Sequence, residues 1–372
     1  MFNRKLSAYA LTCMLATFII CLLITSFAFS KTLQWRMGTT WTPAIDLIEA
    51  DRHFVKMVND TKSLDLKIKL YSSGELVPAF ELFDAVSRGT LQAGGDWPNY
   101  WSGKNRAFDA LGSYPMGLTA IDYATWIYQY GGLKKYQMVY GKYGLYYLPY
   151  AVTPMESGVR GHEPIKSLKD YKGLKIRMAG KAQGELLEML GASQTMLSGG
   201  EIYQALEKGV IDAGEFSSPS NDWKMGFNEV TEYWATPGWH QPASVLGVMI
   251  NMDTWKNLTE DQQNMLKQIA MANFLWSYTY YQKGAAEATK NFMETGTTIT
   301  RLSDEDLAEI QDMVNELTIE TAKKNPLFAE IIYDQYKYLN HFSKWREISQ
   351  PFTFGRNVKM PDMKKLKKAA NQ

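Results

Sequence analysis

Sixteen residues of this chain occur in two copies: Glu81 to Asp96, ELFDAVSRGTLQAGGD, and Glu201 to Phe216, EIYQALEKGVIDAGEF. Glu81/Glu201, Ala85/Ala205, Gly89/Gly209, Ala93/Ala213 and Gly94/Gly214 are identical, and Leu82/Ile202, Phe83/Tyr203, Val86/Leu206, Arg88/Lys208 and Leu91/Ile211 keep their chemistry. Each copy spaces its apolar residues as an amphipathic helix, closes it with a glycine suited to the C′ position, and continues as a short apolar strand. Ser198 and Glu201 frame a capping box ahead of the second copy. A strand also precedes each copy, Leu66-Lys-Ile-Lys-Leu-Tyr71 in one case and Leu174-Lys-Ile-Arg-Met-Ala179 in the other. Two ordinary amphipathic helices ending in glycine would also match at five of sixteen positions, but the matched strands favour a repeat. A repeated strand, helix, strand unit predicts an α/β fold of two similar lobes, with a cleft between them where a small ligand is held.

A chain of 372 residues is long for one average domain and comfortable for two. The predicted layout is a signal peptide at 1–30, lobe I at 31–154, lobe II at 155–244, a lobe-crossing strand and helices at 245–345, and a carboxyl-terminal tail at 346–372. Arg4 and Lys5, the apolar run from Leu6 to Phe29 and Ala28-Phe-Ser30 before Lys31 read as an export signal cut near Ser30. The run is also long enough for an uncleaved membrane anchor. Cys13 and Cys21, the only cysteines, lie inside it, so the processed chain has no disulfide or thiol chemistry. An exported, cysteine-free protein of this size points to a bacterial periplasm. The formal net charge of +1 shows no basic excess, and nothing suggests nucleic acid as a partner.

Leu33 to Gly38 reads as the opening strand, followed by a helix beginning near Pro43. Tyr123 to Tyr130 reads as helix and Leu145 to Val152 as strand. Pro154 to Pro164, PMESGVRGHEP, is a polar, glycine-bearing loop crossing between the lobes. Thr259-Glu-Asp-Gln262 is a capping box, and helical character runs on without proline to Glu294. This bracing helix, 260–294, would span roughly 50 Å at 1.5 Å per residue, enough to touch both lobes. Ser303 caps a further helix to about Lys324, and Leu327 to Trp345 is another. The tail, with Lys364, Lys365, Lys367 and Lys368, is either a solvated end or packs on a second subunit, so the carboxyl-terminal helices are where a homodimer would form.

Arg177 is the first candidate for ligand contact. It stands on the strand Leu174 to Ala179, where a buried guanidinium needs a partner; a bound carboxylate or an internal salt bridge to Glu215 would each serve. Arg160, between Gly158 and Gly161, either meets a ligand anion or is solvated. Glu215 stands where the first copy has Gly95, and such a carboxylate orients an arginine, accepts a ligand hydroxyl or binds a cation. Trp97, Tyr100 and Trp101 cluster on a strand-end loop, and Trp239 and His240 sit between Pro237-Gly238 and Pro242, a rigid turn. The four histidines show no metal-ligand spacing, and no HExxH, GxSxG, GxGxxG or P-loop pattern occurs, so no catalytic constellation or cofactor is expected.

These motifs in this order resemble a known family. GLKIRMAG with its helix, LEKGVIDAGEF, YWATPGWHQP and LTEDQQ are similar to the DctP-type periplasmic solute-binding receptors of tripartite ATP-independent periplasmic (TRAP) transporters, over about Leu33 to Trp345. The resemblance implies a two-lobed receptor that closes on an organic carboxylate and delivers it to membrane permease subunits. It implies that Arg177 pairs with the ligand carboxylate and that Arg160 is a second arginine in the crossing loop. GEF and PGWHQP look closest to the 2-oxo acid binding branch, which carries a glutamate and an aromatic at Glu215 and Phe216 and takes a cation beside its substrate. The chain departs from that branch: Phe216 replaces a tryptophan, and Arg160 replaces a glutamine that helps hold the cation. A positive charge there would repel a metal, so direct arginine contact and no bound ion are expected. Trp41, Trp97, Tyr100, Phe216 and Trp239 around the cleft favour a ligand with an apolar or aromatic body over a small, fully polar dicarboxylate, with indole or phenyl acids, branched 2-oxo acids and aromatic amino acids all open. A sensory protein docking on a membrane receptor is the competing reading, and an exported enzyme the third.

Overall fold

The structure is a computed structural model and describes residues 32–349; the expected signal segment and the tail from Pro351 lie outside the described residues. The chain opens with β1 (Leu33–Thr39), the helix Ile48–Asp60, β2 (Leu66–Tyr71), the helix Leu82–Ser87, β3 (Ala93–Asp96), three further helices and β4 (Leu145–Val152). It continues with β5 (Val159–Gly161), β6 (Lys175–Arg177), the helix Lys181–Met189, β7 (Ser193–Thr195), the helix Ile202–Glu207, β8 (Ala213–Gly214) and β9 (Tyr233–Thr236). β10 (Val245–Asn251), the helix Glu260–Glu294, β11 (Thr298–Arg301) and the helices Asp304–Lys324 and Pro326–Ser349 complete it.

Two sheets form, in the orders β2-β1-β3-β10-β4 and β7-β6-β8-β5-β9-β11. β1 is parallel to both β2 and β3, and β6 is parallel to both β7 and β8. β10 lies antiparallel to β3, as β5 does to β8. The five strands of the first sheet therefore each have a counterpart in the second, which adds β11 at its edge, and the sixteen-residue copies fall on equivalent helices and strands. Gly89 and Gly209 both close their helices at positive φ, 76° and 63°, where a Cβ is unfavourable. The flanking strands require a correction. Leu66–Tyr71 corresponds in topology to β7, not to the strand bearing Arg177, whose counterpart is β1. β7, Ser-Gln-Thr, is short, polar and partly exposed, so it lacks the apolar run that identifies a strand.

Two other boundaries differ from expectation. The helix placed near Pro43 starts at Ile48, because the preceding turn is tied elsewhere: the Leu47 N–H donates to Asn221 Oδ1 of the other lobe at 3.0 Å. The loop Pro154–Pro164 contains β5. What crosses between the lobes is the pair of linkers 153–158 and 237–244, which run side by side. Thr153 N–H donates to Ser244 O at 2.9 Å and Glu156 N–H to Gln241 O at 3.1 Å.

The helix Glu260–Glu294 has the expected ends, with a reciprocal capping box between Thr259 and Gln262. Asn273, Ser277 and Tyr281 recur every fourth residue on its buried face, and the helix packs on β4 and Ile48–Asp60 in one lobe and on Pro219–Lys224 in the other. No helix of the described residues is long and apolar enough to cross a membrane.

Candidate functional site

The carboxyl ends of β1, β3, β6 and β8 point at the two linkers, the position where open α/β sheets hold ligands. A small cavity lies there, walled by Trp41, Trp97, Tyr100 and Phe216, with Glu156, Arg177, Gln241 and Ser244 supplying the polar groups. The rings support one another: Trp41 and Tyr100 have centroids 5.8 Å apart, Trp97 and Tyr100 5.3 Å, and Trp41 meets Phe216 edge-on at 6.3 Å. The free space is about 10 Å³, roughly the room of one water.

Among the described residues, Arg177 is the only arginine lining this cavity. Its Nε and Nη2 donate to Leu197 O at 3.1 and 3.0 Å, and its Nη1 donates to Glu215 O at 2.7 Å and Glu215 Oε1 at 2.9 Å. Of five guanidinium protons, one on Nη2 is left over among the described residues. Both partners expected for Arg177 thus meet at one place, the Glu215 salt bridge and the ligand space, but the free bidentate fork does not exist.

Glu215 Oε1 also accepts from the Ala179 N–H at 2.7 Å, while its Oε2 has no hydrogen-bond partner among the described residues. Glu156, in the first linker, shows the same asymmetry: Ser244 Oγ donates to Oε1 at 3.4 Å and Oε2 has no partner. His240 Nε2 lies 3.3 Å from Glu156 Oε2 and 3.9 Å from Glu215 Oε2. Burial lowers the His240 imidazole to about 4 against the opposing pull of Glu215, so it is neutral at pH 7. Burial, reinforced by Glu215, pushes the Glu156 carboxyl well above the usual carboxylate range. Burial pushes the Tyr100 phenol up to about 12, so it remains a neutral hydroxyl.

Arg160 is placed elsewhere. It pairs with Gly214 and Trp234 within its sheet, and since Gly214 is also the register partner of Arg177, both arginines leave the same face of the sheet, although Arg160 does not line the cavity. Its Nε donates to Asp222 Oδ2 at 2.7 Å, and its guanidinium carbon sits 4.1 Å from the Trp234 ring centre and 3.7 Å from that of Phe292. The flanking glycines serve strand packing: a Cβ on Gly158 would lie 2.0 Å from Ala235 O, and one on Gly161 2.9 Å from the Ala213 Cβ. Arg160, expected at the ligand, thus stands in a buried ion pair with Asp222, and its Nη1 and Nη2 have no hydrogen-bond partner among the described residues. The argument against a bound ion loses its premise, since that charge faces Asp222. Trp239 also turns away, its Nε1–H donating to the Tyr171 hydroxyl at 3.3 Å, and its rigid turn presents His240 and Gln241 instead.

Glu156, Gln241 and Ser244 escaped sequence reading. Each belongs to a linker without regular structure, and only the pairing of the two linkers brings them to the cavity. The signal available was an acid inside the glycine-bearing crossing loop.

The model of the family described as bacterial extracellular solute-binding protein, family 7 (DctP), matches residues 37–325. The chain is 31% identical, over 86% of its length and 87% of the relative's, to a monocarboxylate 2-oxoacid-binding periplasmic protein of Nostoc sp.. Among solved structures, a TRAP transporter solute-binding protein of Bordetella bronchiseptica with copurified calcium and picolinate superposes at TM-score 0.83 with 28% identity, over 86% of this chain and 96% of that one. One of Pseudoalteromonas atlantica with bound sodium and pyruvate gives 0.83 and 29%, over 88% and 100%. One of Colwellia psychrerythraea with calcium and pyruvate gives 0.78 and 31%, over 86% and 98%.

Proposed function

The chain belongs to the bacterial extracellular solute-binding proteins of family 7, and from that premise we propose that it captures a small 2-oxo monocarboxylate between its lobes for a TRAP permease. The observation that carries this reading is Arg177, held by Glu215 and Leu197 with one N–H left toward a cavity of about one water's volume. A carboxylate that replaces this water receives a charge-assisted hydrogen bond in a water-excluded space. The aromatic rings are spent on one another as walls, so the preference for an aromatic ligand body gives way to a compact acid. A pyruvate-sized ligand still needs more room, and it enters as the lobes part and reclose.

The relatives that hold pyruvate or picolinate hold sodium or calcium as well, and this chain's residues fit a cation. Glu156, Glu215 and His240 place one ligand atom each within 4.8 Å of one another, and both free carboxylate oxygens are buried. A bound cation would offset their charge and draw in the ligand's oxygens. Arg177 orients the carboxylate, and Tyr100 and the rings exclude water. The reading includes no turnover and an export signal in the first thirty residues that delivers the protein to the periplasm.

A thermal-shift series tests it, with sodium and calcium both present. Pyruvate and slightly longer 2-oxo acids are expected to raise the melting temperature in proportion to the logarithm of concentration, and indole or phenyl acids are not. No shift with any 2-oxo acid overturns the proposal.

A further inference from the structure

We propose that the outward face of the last helix, Pro326–Ser349, together with the basic segment that follows it, holds this protein on an anionic phospholipid surface. The helix buries Phe328, Ile331, Ile332, Gln335 and Tyr338 against the body. At about 100° per residue, the exposed side chains Tyr333, Lys337, His341, Lys344, Trp345 and Ile348 fall within about 120° of arc on its other side. Three of them are large and lie bare, Tyr333 at 70%, Trp345 at 60% and Ile348 at 71% exposure. The acids within the same arc are engaged: Glu330 accepts from Lys135 Nζ at 2.9 Å and Asp334 from the Trp126 indole N–H at 2.9 Å. A face that sets an indole, a phenol ring and an isoleucine among ammonium groups is amphipathic in the manner of helices that lie in a bilayer interface.

Charge distribution selects the surface this face meets. Residues 350–372, outside the described residues, carry six basic side chains, Arg356, Lys359, Lys364, Lys365, Lys367 and Lys368, against the single acid Asp362, a net of +5. The whole chain is +1, and Arg4 and Lys5 give the first thirty residues +2, so residues 31–349 carry −6. Positive charge is therefore gathered at one end of an acidic protein. Met360, Met363 and Leu366 alternate with the lysines, which sets apolar contact beside the charge. A cluster of this size matches the negative headgroups of a bilayer, whereas the acidic body is repelled by them, so contact is confined to this end. A second copy of this chain fits less well, because a two-fold contact through this face brings one +5 segment toward the other. The inference goes beyond the ligand reading: it tethers the receptor at the membrane, whatever acid fills the cleft.

The test is co-sedimentation of the full processed chain with phosphatidylcholine vesicles, with and without about 30% phosphatidylglycerol. Binding to the anionic vesicles is expected to be at least about tenfold stronger than to the neutral ones, and to be lost in about 0.5 M NaCl, where the screening length is roughly 4 Å. Lys364→Gln/Lys365→Gln/Lys367→Gln/Lys368→Gln should bind at least about tenfold more weakly than wild type. The chain from Lys31 onward has no cysteine, so Ile348→Cys carrying an environment-sensitive dye reports the helix face alone, and its emission should move to the blue on anionic vesicles. Binding that ignores lipid charge, an unchanged quadruple variant, or a dye that stays in water while the protein sediments overturns the inference. So does a wild type that fails to sediment, whether it pairs through this face with a second copy, seen by light scattering, or folds the basic segment back on the acidic helix Asp304–Lys324. Pyruvate affinity without vesicles should be equal in all these proteins; its absence throughout would sink the receptor reading and leave the vesicle result standing.

Discussion

Arg177 and Glu215 face each other from the ends of two hydrogen-bonded parallel strands, Nη1 to Oε1 at 2.9 Å, and neither residue is more than 1% exposed. This pairing couples binding to stability. Arg177→Ala removes the ligand's contact and also leaves Glu215 buried without its counter-charge, which costs about 3–5 kcal/mol. Loss of pyruvate binding should therefore come with a lower urea midpoint. In Arg177→Met/Glu215→Leu the midpoint should recover in part while binding stays absent. Calorimetry and denaturation on the same samples check this; unchanged stability in the single variant would show that the pair is not closed in solution.

Arg160 offers the complementary case. Removing its guanidinium, which sits against the Trp234 and Phe292 rings, leaves Asp222 buried without its counter-charge, so Arg160→Ala should destabilise by about 3–5 kcal/mol. Because the side chain is engaged by Asp222 and does not line the cavity, pyruvate affinity of the folded protein at low temperature should stay within about threefold of wild type. A tenfold loss with intact circular dichroism would return Arg160 to the ligand.

These two arginines mark how far the sequence was legible. Helix caps, the long brace and the repeat are local patterns with fixed periods, and Thr259, Ser303 and Gly209 could be read directly. Arg177 was legible because a cation on an apolar strand must find a partner. Arg160 was not, since a three-residue strand between glycines looks like a loop until it pairs with β8 and β9. Glu156 required knowing that linkers separated by some eighty residues lie side by side, a long-range fact with no local signature. The misassigned strand has the same cause: β7 is polar, and only sheet order shows that it stands where β2 does.

Two ion pairs join the lobes at the rim of the cleft. Arg106 binds Glu185 in bidentate fashion, both contacts at 2.8 Å, and Lys224 meets Asp46 at 2.5 Å. Glu185 and Lys224 are partly exposed, so each pair contributes only about 0.2–1 kcal/mol to closure. That is enough to shift an equilibrium between open and closed forms of similar energy. Glu185→Gln/Asp46→Asn should enlarge the ligand-free radius of gyration in solution scattering and weaken pyruvate binding about two- to tenfold through a slower or rarer closed state. Added ligand should return the variant to the wild-type profile. An identical ligand-free profile in the two proteins would mean that closure is set by other contacts.

The first lobe carries a buried acidic pair that sets an unusual pH dependence. Asp51 accepts from Tyr150 and Thr39, and Asp96 from Trp101 and Tyr140; Gly95 leaves room for Asp51, since a Cβ there would lie 2.0 Å from its Oδ1. Burial, only partly offset by these hydrogen bonds, raises both carboxyls to about 7. The folded protein therefore keeps protons that the unfolded chain releases near 3.8. Between those values the folded state binds more protons, so its stability falls as pH rises from about 4 to about 7, the reverse of a salt-bridged aspartate, and levels off above. Asp96→Asn replaces a group that must be neutral with one that always is. Its stability should vary less with pH across that window and exceed the wild type's at pH 7.5, and urea midpoints at pH 5, 6 and 7.5 decide the matter. A wild type that gains stability steadily over this range would show that the pair is ionised and hydrated in the folded protein.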